Sequence, residues 1–343
     1  MKKKLKILIL GCAGFIGCHL TKVLLKEKNI ELYGLDLDTK NIEIYLKKKN
    51  FFFCHGDVNK NQKWIKDKIK KCDIIIPLIA IATPNTYMKE PLKVFELDFE
   101  SNLKIIRLVA KYKKRLIFPS TSEVYGITDE KTFKEYSTKL TVGPVHKSRW
   151  IYSTSKQLLD RIIFAYAEKR NLKFTIFRPF NWVGPNLDNL KKAQMGNGRV
   201  LSIFISNILK KKKLELVNNG KQKRSFTYID DGILALKKII LGNENKLNKK
   251  IFNIGNPKNH ITIKKLSSLV VKEFILQDKT IKNIKVVNTT EKKFFGKGYE
   301  DMKARQPDIN EAKKFLKWEP KINYKDAIKL TVKYYLKNES KFF

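Results

Sequence analysis

Two short segments carry the residue types needed to take hydrogen from a carbinol. Thr121-Ser122-Glu123 ends an apolar run, and Tyr152-Ser153-Thr154-Ser155-Lys156 follows downstream. Tyr152 and Lys156 are four residues apart, which places them on one face of a helix. An ammonium beside a phenol favours the phenolate, so Tyr152 is expected to act as a base near neutral pH. The Thr121 hydroxyl would hold the same substrate oxygen. Together these groups would take a proton from an alcohol while a hydride leaves its carbon. The carboxylate of Glu123 points to a second chemical step.

The surrounding pattern supplies elements to position them. Lys6 to Leu10 reads as a short buried strand, and Phe15 to Lys26 has helical periodicity. Further strands are predicted at Ile30 to Leu35, Phe51 to Cys54, Ile74 to Ile81, Arg115 to Phe118 and Phe174 to Phe177. Long helices are predicted at Val94 to Tyr112 and at Ile151 to Glu168, the latter carrying Tyr152 and Lys156. This alternation predicts an α/β fold, a doubly wound parallel sheet of Rossmann type. After Phe180 the pattern loosens around Gly184-Pro185 and Gly196-Asn197-Gly198. Residues 1–180 are therefore expected to form the cofactor domain. Residues 181–343 should form mainly a smaller mixed substrate lobe, interleaved with the first.

The first strand-to-helix turn reads Gly11-Cys12-Ala13-Gly14-Phe15-Ile16-Gly17. Its glycines permit a tight turn and a close approach of backbone to a pyrophosphate at the helix N-terminus. Asp36 ends the second strand, where a carboxylate accepts from adenosine ribose hydroxyls and repels an extra phosphate. The expected cofactor is accordingly NAD. Asp57 and Val58 would border the adenine, and Ala80 would leave room beside the cofactor.

Composition excludes several other classes. The chain of 343 residues is 43% hydrophobic and 31% charged, which is globular. No apolar stretch reaches the length of a membrane span. The Lys-rich start followed by Ile7-Leu8-Ile9-Leu10 superficially resembles a signal peptide. Gly11, Gly14 and Gly17 interrupt the apolar run, so a first strand is the better reading. The net charge of +39 would normally suggest nucleic acid. Here the lysines are spread along the whole chain with many Ile, Asn and Phe, as an A/T-rich coding sequence produces. No basic stretch interleaves with aromatics for base stacking. The charge would instead steer an anionic substrate inward. Four cysteines without C-x-x-C spacing and four scattered histidines suggest no metal site or disulfide framework, and fit a cytoplasmic protein. Only nine of the 72 basic residues are Arg. In so Lys-rich a chain a retained Arg hints at a planar grip on carboxylate or phosphate, notably Arg149, Arg178, Arg224 and Arg305.

These pieces together resemble the extended short-chain dehydrogenase/reductase family. Within it, the segments PLIAIATP (77–84), VFELDFESNL (94–103), FPSTSEVYG (118–126), VGPVHKSRWIYSTSKQLLDR (142–161), FRPFNWVGP (177–185), NGKQKRSFTYIDDGI (219–233), FNIGNP (252–257) and GKGYEDMKARQPDI (296–309) look like the polymyxin-resistance UDP-glucuronic acid dehydrogenases. The likeness runs from Leu5 to about Tyr335. It implies that NAD takes a hydride from carbon 4 of the sugar while Tyr152 accepts the hydroxyl proton. The resulting β-keto acid then loses carbon dioxide. That second step falls to a Glu and an Arg in the family, here Glu123 and Arg305. An Arg pKa above about 12 favours orienting the carboxylate or stabilising enolate charge over proton donation.

The resemblance also implies substrate contacts at Ala82, Tyr87, Thr121, Ser122, Arg149, Asn181 and Tyr299. Lys221, Gln222, Lys223 and Arg224 would hold the UDP part. It implies a homodimer pairing through the Val94 and Ile151 helices, and a product bound for aminoarabinose modification of lipid A. Two positions depart from the pattern: Glu215 stands where a Lys is expected, and Asn186 where an Arg is expected. Each would weaken nucleotide affinity. Family members of this type also carry an N-terminal formyltransferase domain. This chain opens at the dinucleotide fold, so the dehydrogenase half alone is expected.

Three other readings compete. A nucleotide-sugar 4,6-dehydratase has Asp before the Glu to protonate departing water, but here Ser122 stands there, and a 4-epimerase usually lacks the Glu. UDP-xylose synthase shares Thr-Ser-Glu and reduces the ketone back. Its tyrosine helix usually reads YDEGK, against YSTSK here, which favours release of the ketone. A non-catalytic NAD-sensing protein on the same fold is also possible. Such proteins often lose the Tyr or Lys, and both are present.

Overall fold

A computed structural model describes residues 3–341. Seven parallel strands form its centre: β1 (Leu5–Leu10), β2 (Ile30–Asp36), β3 (Phe51–His55), β4 (Ile74–Pro77), β5 (Arg115–Pro119), β6 (Lys173–Pro179) and β7 (Lys250–Ile254). Their order is β7-β6-β5-β4-β1-β2-β3. The chain builds outward from β1 in one direction and then from β4 in the other. A crevice opens at the carboxyl ends of β1 and β4, where doubly wound sheets bind ligands.

The sheet is buried on both faces because its strands are apolar on both. Ile7 and Ile9 of β1 enter one core, with Leu20 and Leu24 of the helix Phe15–Leu24 and Ile233 and Leu236 of the helix Ile229–Leu241. Leu8 and Leu10 enter the other, with Ile65 and Ile69 of Gln62–Lys71, Ile105 and Val109 of Asn102–Lys111, and Leu159 and Ile163 of Ile151–Arg170. The period-two alternation of a strand sends neighbours to opposite faces.

Three differences from the sequence expectations bear on the site. β4 stops at Pro77 rather than Ile81. Residues 78–83 peel off the sheet as a loop, and Ala80 and Ala82 are exposed there. A continuous apolar run does not reveal where pairing ends. The helix predicted from Val94 to Tyr112 is broken: Pro91–Phe95 leads into a π-helical turn, Glu96–Ser101, before Asn102–Lys111. Asn102 holds that widened turn, its side-chain amide donating to the carbonyls of Leu97 and Asp98 at 3.2 Å and of Ile79 at 3.3 Å. The Lys-rich helix Gln62–Lys71 buries only Ile65 and Ile69, and this sparse apolar face hid it in the sequence.

Small sheets complete the crevice. His260–Thr262, Lys223–Ser225 and Ala304–Arg305 form one, in which Arg305 lies in register with Arg224. Leu214–Val217 pairs with Val286–Thr289.

Candidate active site

The turn after β1 begins with Gly11 at a φ of +87°, a conformation that costs an L side chain dearly. Gly17 sits against it so closely that a Cβ would lie 2.1 Å from the Gly11 carbonyl oxygen. Gly14 caps the helix Phe15–Leu24 with no side chain of its own, and no acidic residue occupies the first turn. This loop forms one end of a cleft of about 400 Å³ lined by Gly11, Gly14, Phe15, Ile16 and Gly17. Asp36 stands beside the loop rather than on the cleft wall, its Oδ2 accepting the Ala13 N–H at 2.7 Å. Burial pushes its carboxyl up and the backbone donors of Ala13 and Asp38 pull it down, with burial prevailing. Asp57 and Val58 do not line the cleft either. Asp57 Oδ1 accepts the Asn59 N–H at 2.7 Å, and Val58 packs into the core.

Tyr152 and Lys156 both reach the cleft from the first turns of Ile151–Arg170. The Tyr152 ring stacks on Tyr87 with centroids 4.9 Å apart and planes 12° apart. Lys156 is fully buried and donates to the Pro119 carbonyl at 3.2 Å, while its ammonium lies 4.0 Å from Asp98. The expected depression of the phenol is not what the residues produce. Burial pushes Tyr152 above its ordinary value, and the carboxylates of Asp98 and Glu123 add to this, against a contact with the Thr121 hydroxyl. Burial likewise pulls Lys156 down, against the attraction of Asp98 and Asp160. The site by itself therefore keeps the phenol protonated. Thr121 caps the short 3-10 turn Ser122–Tyr125 at the end of β5, its hydroxyl accepting the Glu123 N–H at 3.2 Å.

That turn aims Glu123 into a cluster of arginines. Its Oε2 accepts from Arg149 at 2.7 Å, and its Oε1 lies 3.4 Å from Arg305. Burial would raise the Glu123 carboxyl, but the two guanidiniums outweigh it and hold the group below the usual carboxylate range. Arg149 is pinned between the rings of Tyr87 and Tyr299, 5.4 and 5.7 Å from their centroids. Asp301 pairs with Arg224 at 2.6 Å. Three guanidiniums thus face two carboxylates, leaving one positive charge for an anionic group. Burial, and then Arg224 across the strand register, lower Arg305 to about 10. It remains charged at neutral pH.

The cleft also gathers Ala80, Ala82, Tyr87, Thr121, Ser122, Asn181, Gln222, Arg224 and Tyr299. Lys221 and Lys223 are exposed and absent from its wall, whereas Gln222 and Arg224 face in. In the strand Lys223–Ser225 neighbouring side chains alternate, which sends Lys223 out and Arg224 in, while Lys221 ends the short turn before it. Glu215 lines the cleft, paired with Lys213 at 3.3 Å. Asn186 does not line it, and its side-chain oxygen accepts from the Tyr334 hydroxyl at 2.5 Å. Asp98, Asp301 and Arg199 are the site's unforeseen charged groups. Asp98 had a legible signal, as the one acid on the buried stripe Val94, Asp98, Asn102, Ile105.

A parallel sheet wound both ways from a glycine turn, with a Tyr/Lys helix facing that turn, defines a dinucleotide-dependent enzyme of the Rossmann class. The chain belongs to the NAD dependent epimerase/dehydratase family, whose model matches residues 7–255. Its cofactor is NAD, and the glycine cradle that a Cβ would fill fits the pyrophosphate of that group. The chain is 48% identical over 340 residues to the bifunctional polymyxin resistance protein ArnA of Wigglesworthia glossinidia brevipalpis, covering 98% of this chain and 52% of that one. It thus spans about half the length of that relative. The solved PbgP3 protein from Burkholderia pseudomallei matches with a TM-score of 0.90 at 42% identity, over 99% of this chain and 98% of the other. A UDP-glucuronic acid 4-epimerase from Bacillus cereus, in complex with UDP-glucuronic acid and NAD, shares the fold at 22% identity and a TM-score of 0.81, over 97% and 99%.

Proposed function

We propose that this chain oxidises and decarboxylates UDP-glucuronic acid to a UDP-4-keto-pentose. The observation that carries this reading is Glu123, held between Arg149 and Arg305 beside Thr121 in the cleft. Likeness to a polymyxin resistance protein supports it. When bound, NAD supplies the hydride acceptor and a cationic ring whose field favours a neighbouring phenolate. Tyr152 takes the proton of the carbon 4 hydroxyl, and Thr121 orients that oxygen. The product has its ketone β to the carboxylate, so the electrons of the breaking carbon–carbon bond pass to the ketone oxygen. The surplus positive charge of the arginine cluster holds first the carboxylate and then the enolate oxygen, and carbon 5 of the enolate takes a proton from water to complete the 4-keto-pentose. Arg305 serves as that electrostatic partner, and Glu123 fixes the guanidiniums around the reacting carbons.

Ser122 in place of an acid leaves no group to protonate a departing hydroxide, which argues against dehydration. The test is incubation of pure protein with UDP-glucuronic acid and NAD. NADH, carbon dioxide and a 4-keto-pentose are expected in equal amounts. UDP-xylose without net NADH would select the internal-reduction alternative. Neither NADH nor carbon dioxide, with NAD bound, would remove the proposal.

A further inference from the structure

The helix ahead of β5 carries a charge on its buried stripe that the reaction described above does not use. Asp98 lies in the π-helical turn Glu96–Ser101 and is fully buried. Its Oδ2 accepts the Ile81 N–H at 3.0 Å. Its Oδ1 has no hydrogen-bond partner among the described residues and faces the Lys156 ammonium at 4.0 Å. A buried carboxylate with an unused oxygen is costly, and a charge opposite it is what offsets that cost.

We propose that Asp98 is a positioning residue for Tyr152: its carboxylate is the counter-ion that keeps buried Lys156 charged and ties that ammonium to the Ile81 backbone, between the cleft residues Ala80 and Ala82. This rests on the reading of Tyr152 and Lys156 as the alcohol-oxidising pair. Lys156 faces Asp98 from the π-helical turn and Asp160 from its own helix. Asp160 Oδ2 is engaged by Arg178 at 3.0 Å and by the Ser120 hydroxyl at 2.9 Å, and although its Oδ1 is also without a hydrogen-bond partner, among the described residues only Asp98 brings a carboxylate oxygen within 4.0 Å of the Lys156 ammonium. Tyr152 faces Asp98, Glu123, Thr121 and Arg199, and Tyr87 beside it faces Glu123, Arg149 and Asp98 as well. Burial pushes Asp98 up to about 7, against the pull of Lys156 and of the Ile81 N–H. The loop from 78 to 83 and the catalytic helix are thereby joined through one side chain.

Asp98→Asn separates charge from shape, since its amide oxygen still accepts the Ile81 N–H. The first measurement needs no substrate: Tm of the variant and the wild type from pH 8 to 10, above the Asp98 titration near 7. Burial already lowers Lys156 with Asp98 present, and without that counter-ion it falls further, so the added penalty is full at low pH and fades as pH rises towards the ordinary lysine value. The Tm of the variant relative to wild type should therefore rise across that range. The second is the kcat–pH profile with UDP-glucuronic acid and NAD. Its alkaline limb should move down by about one pH unit or more, with NAD affinity within about two-fold of wild type. A Tm difference independent of pH overturns the ion pair, and coincident kcat profiles overturn its effect on Tyr152. Should the Asn variant not fold, Asp98→Ser is neutral and smaller, and the same shifts are expected of it. A wild-type protein with no turnover would count against the proposed substrate, while the Tm series still decides the ion pair.

Discussion

Arg149 donates to Glu123 at 2.7 Å, and the two side chains are only 1% and 12% exposed. A carboxylate this dry is tolerable because a guanidinium shares its burial. Taking away Arg149 leaves Glu123 charged and buried with only the longer 3.4 Å contact to Arg305. Arg149→Ala should therefore cost about 3–5 kcal/mol in unfolding free energy. Urea denaturation monitored by circular dichroism would read this. A loss under 1 kcal/mol would show that the pair is solvated in solution.

Chemistry should divide between two sets of residues. Tyr152→Phe removes the proton acceptor and should lower NADH formation by about 10²–10⁴-fold. Arg305→Ala and Glu123→Gln should leave the hydride step largely intact and slow carbon dioxide release by about 10²–10³-fold. Parallel assays of NADH and carbon dioxide distinguish the steps. Normal decarboxylation in either variant would refute the role given to that residue.

Gly17→Ala should abolish NAD binding, because the added methyl would overlap the Gly11 carbonyl. The three nearest atoms, the Gly11 carbonyl oxygen and the Cys12 Cα and carbonyl carbon, are all backbone, so no side chain can swing aside. Fluorescence titration with NADH tests this, and wild-type affinity would show that the loop yields.

Glu135 lies beneath the site, its Oε1 accepting the Asn253 N–H at 2.8 Å, and burial pushes its carboxyl up to about 7. A carboxyl whose folded-state value is raised binds its proton more tightly folded than unfolded. Stability contributed by that proton is present at low pH and is lost as pH rises from about 4.5 towards 7. Glu135→Gln keeps the hydrogen-bond acceptor without the charge. It should gain on the order of 2 kcal/mol over wild type at pH 7.5 and much less at pH 4.5. An equal difference at both pH values would contradict the cause given.

Glu215 puts a carboxylate on the cleft wall where a diphosphate substrate is proposed to bind. Reversing it with Glu215→Lys should lower KM for UDP-glucuronic acid by about five-fold at low salt and leave kcat unchanged. An unchanged KM would place Glu215 away from the bound nucleotide.

Much of this protein is written locally. The glycine turn, the apolar strands around it and the Tyr152/Lys156 spacing each lie within a few residues of sequence, so propensity and periodicity reveal them. Thr121-Ser122-Glu123 is legible for the same reason: one short turn at the end of β5 presents all three residues to the cleft. The glycine loop was legible as a dinucleotide turn and the NAD preference was read from Asp36, which in the structure accepts from the Ala13 N–H of that loop rather than lining the cleft.

The electrostatics were decided by contacts that sequence distance conceals. Arg305 meets Ser122 across 183 positions, and it is made more acidic first by burial and then by Arg224, which strand register sets beside it. Two expected ligand-binding lysines are exposed, Lys223 through strand alternation and Lys221 at the end of the preceding turn. Lys156 was expected to act on Tyr152 by proximity; folding sets its ammonium on the Pro119 carbonyl and 4.0 Å from Asp98, contacts that spacing along the helix does not reveal. By itself the sequence determined which groups are present and which short segments hold them. Only the tertiary structure decided their charge balance, because burial strengthens every Coulomb interaction and folding alone chooses which charges are buried together.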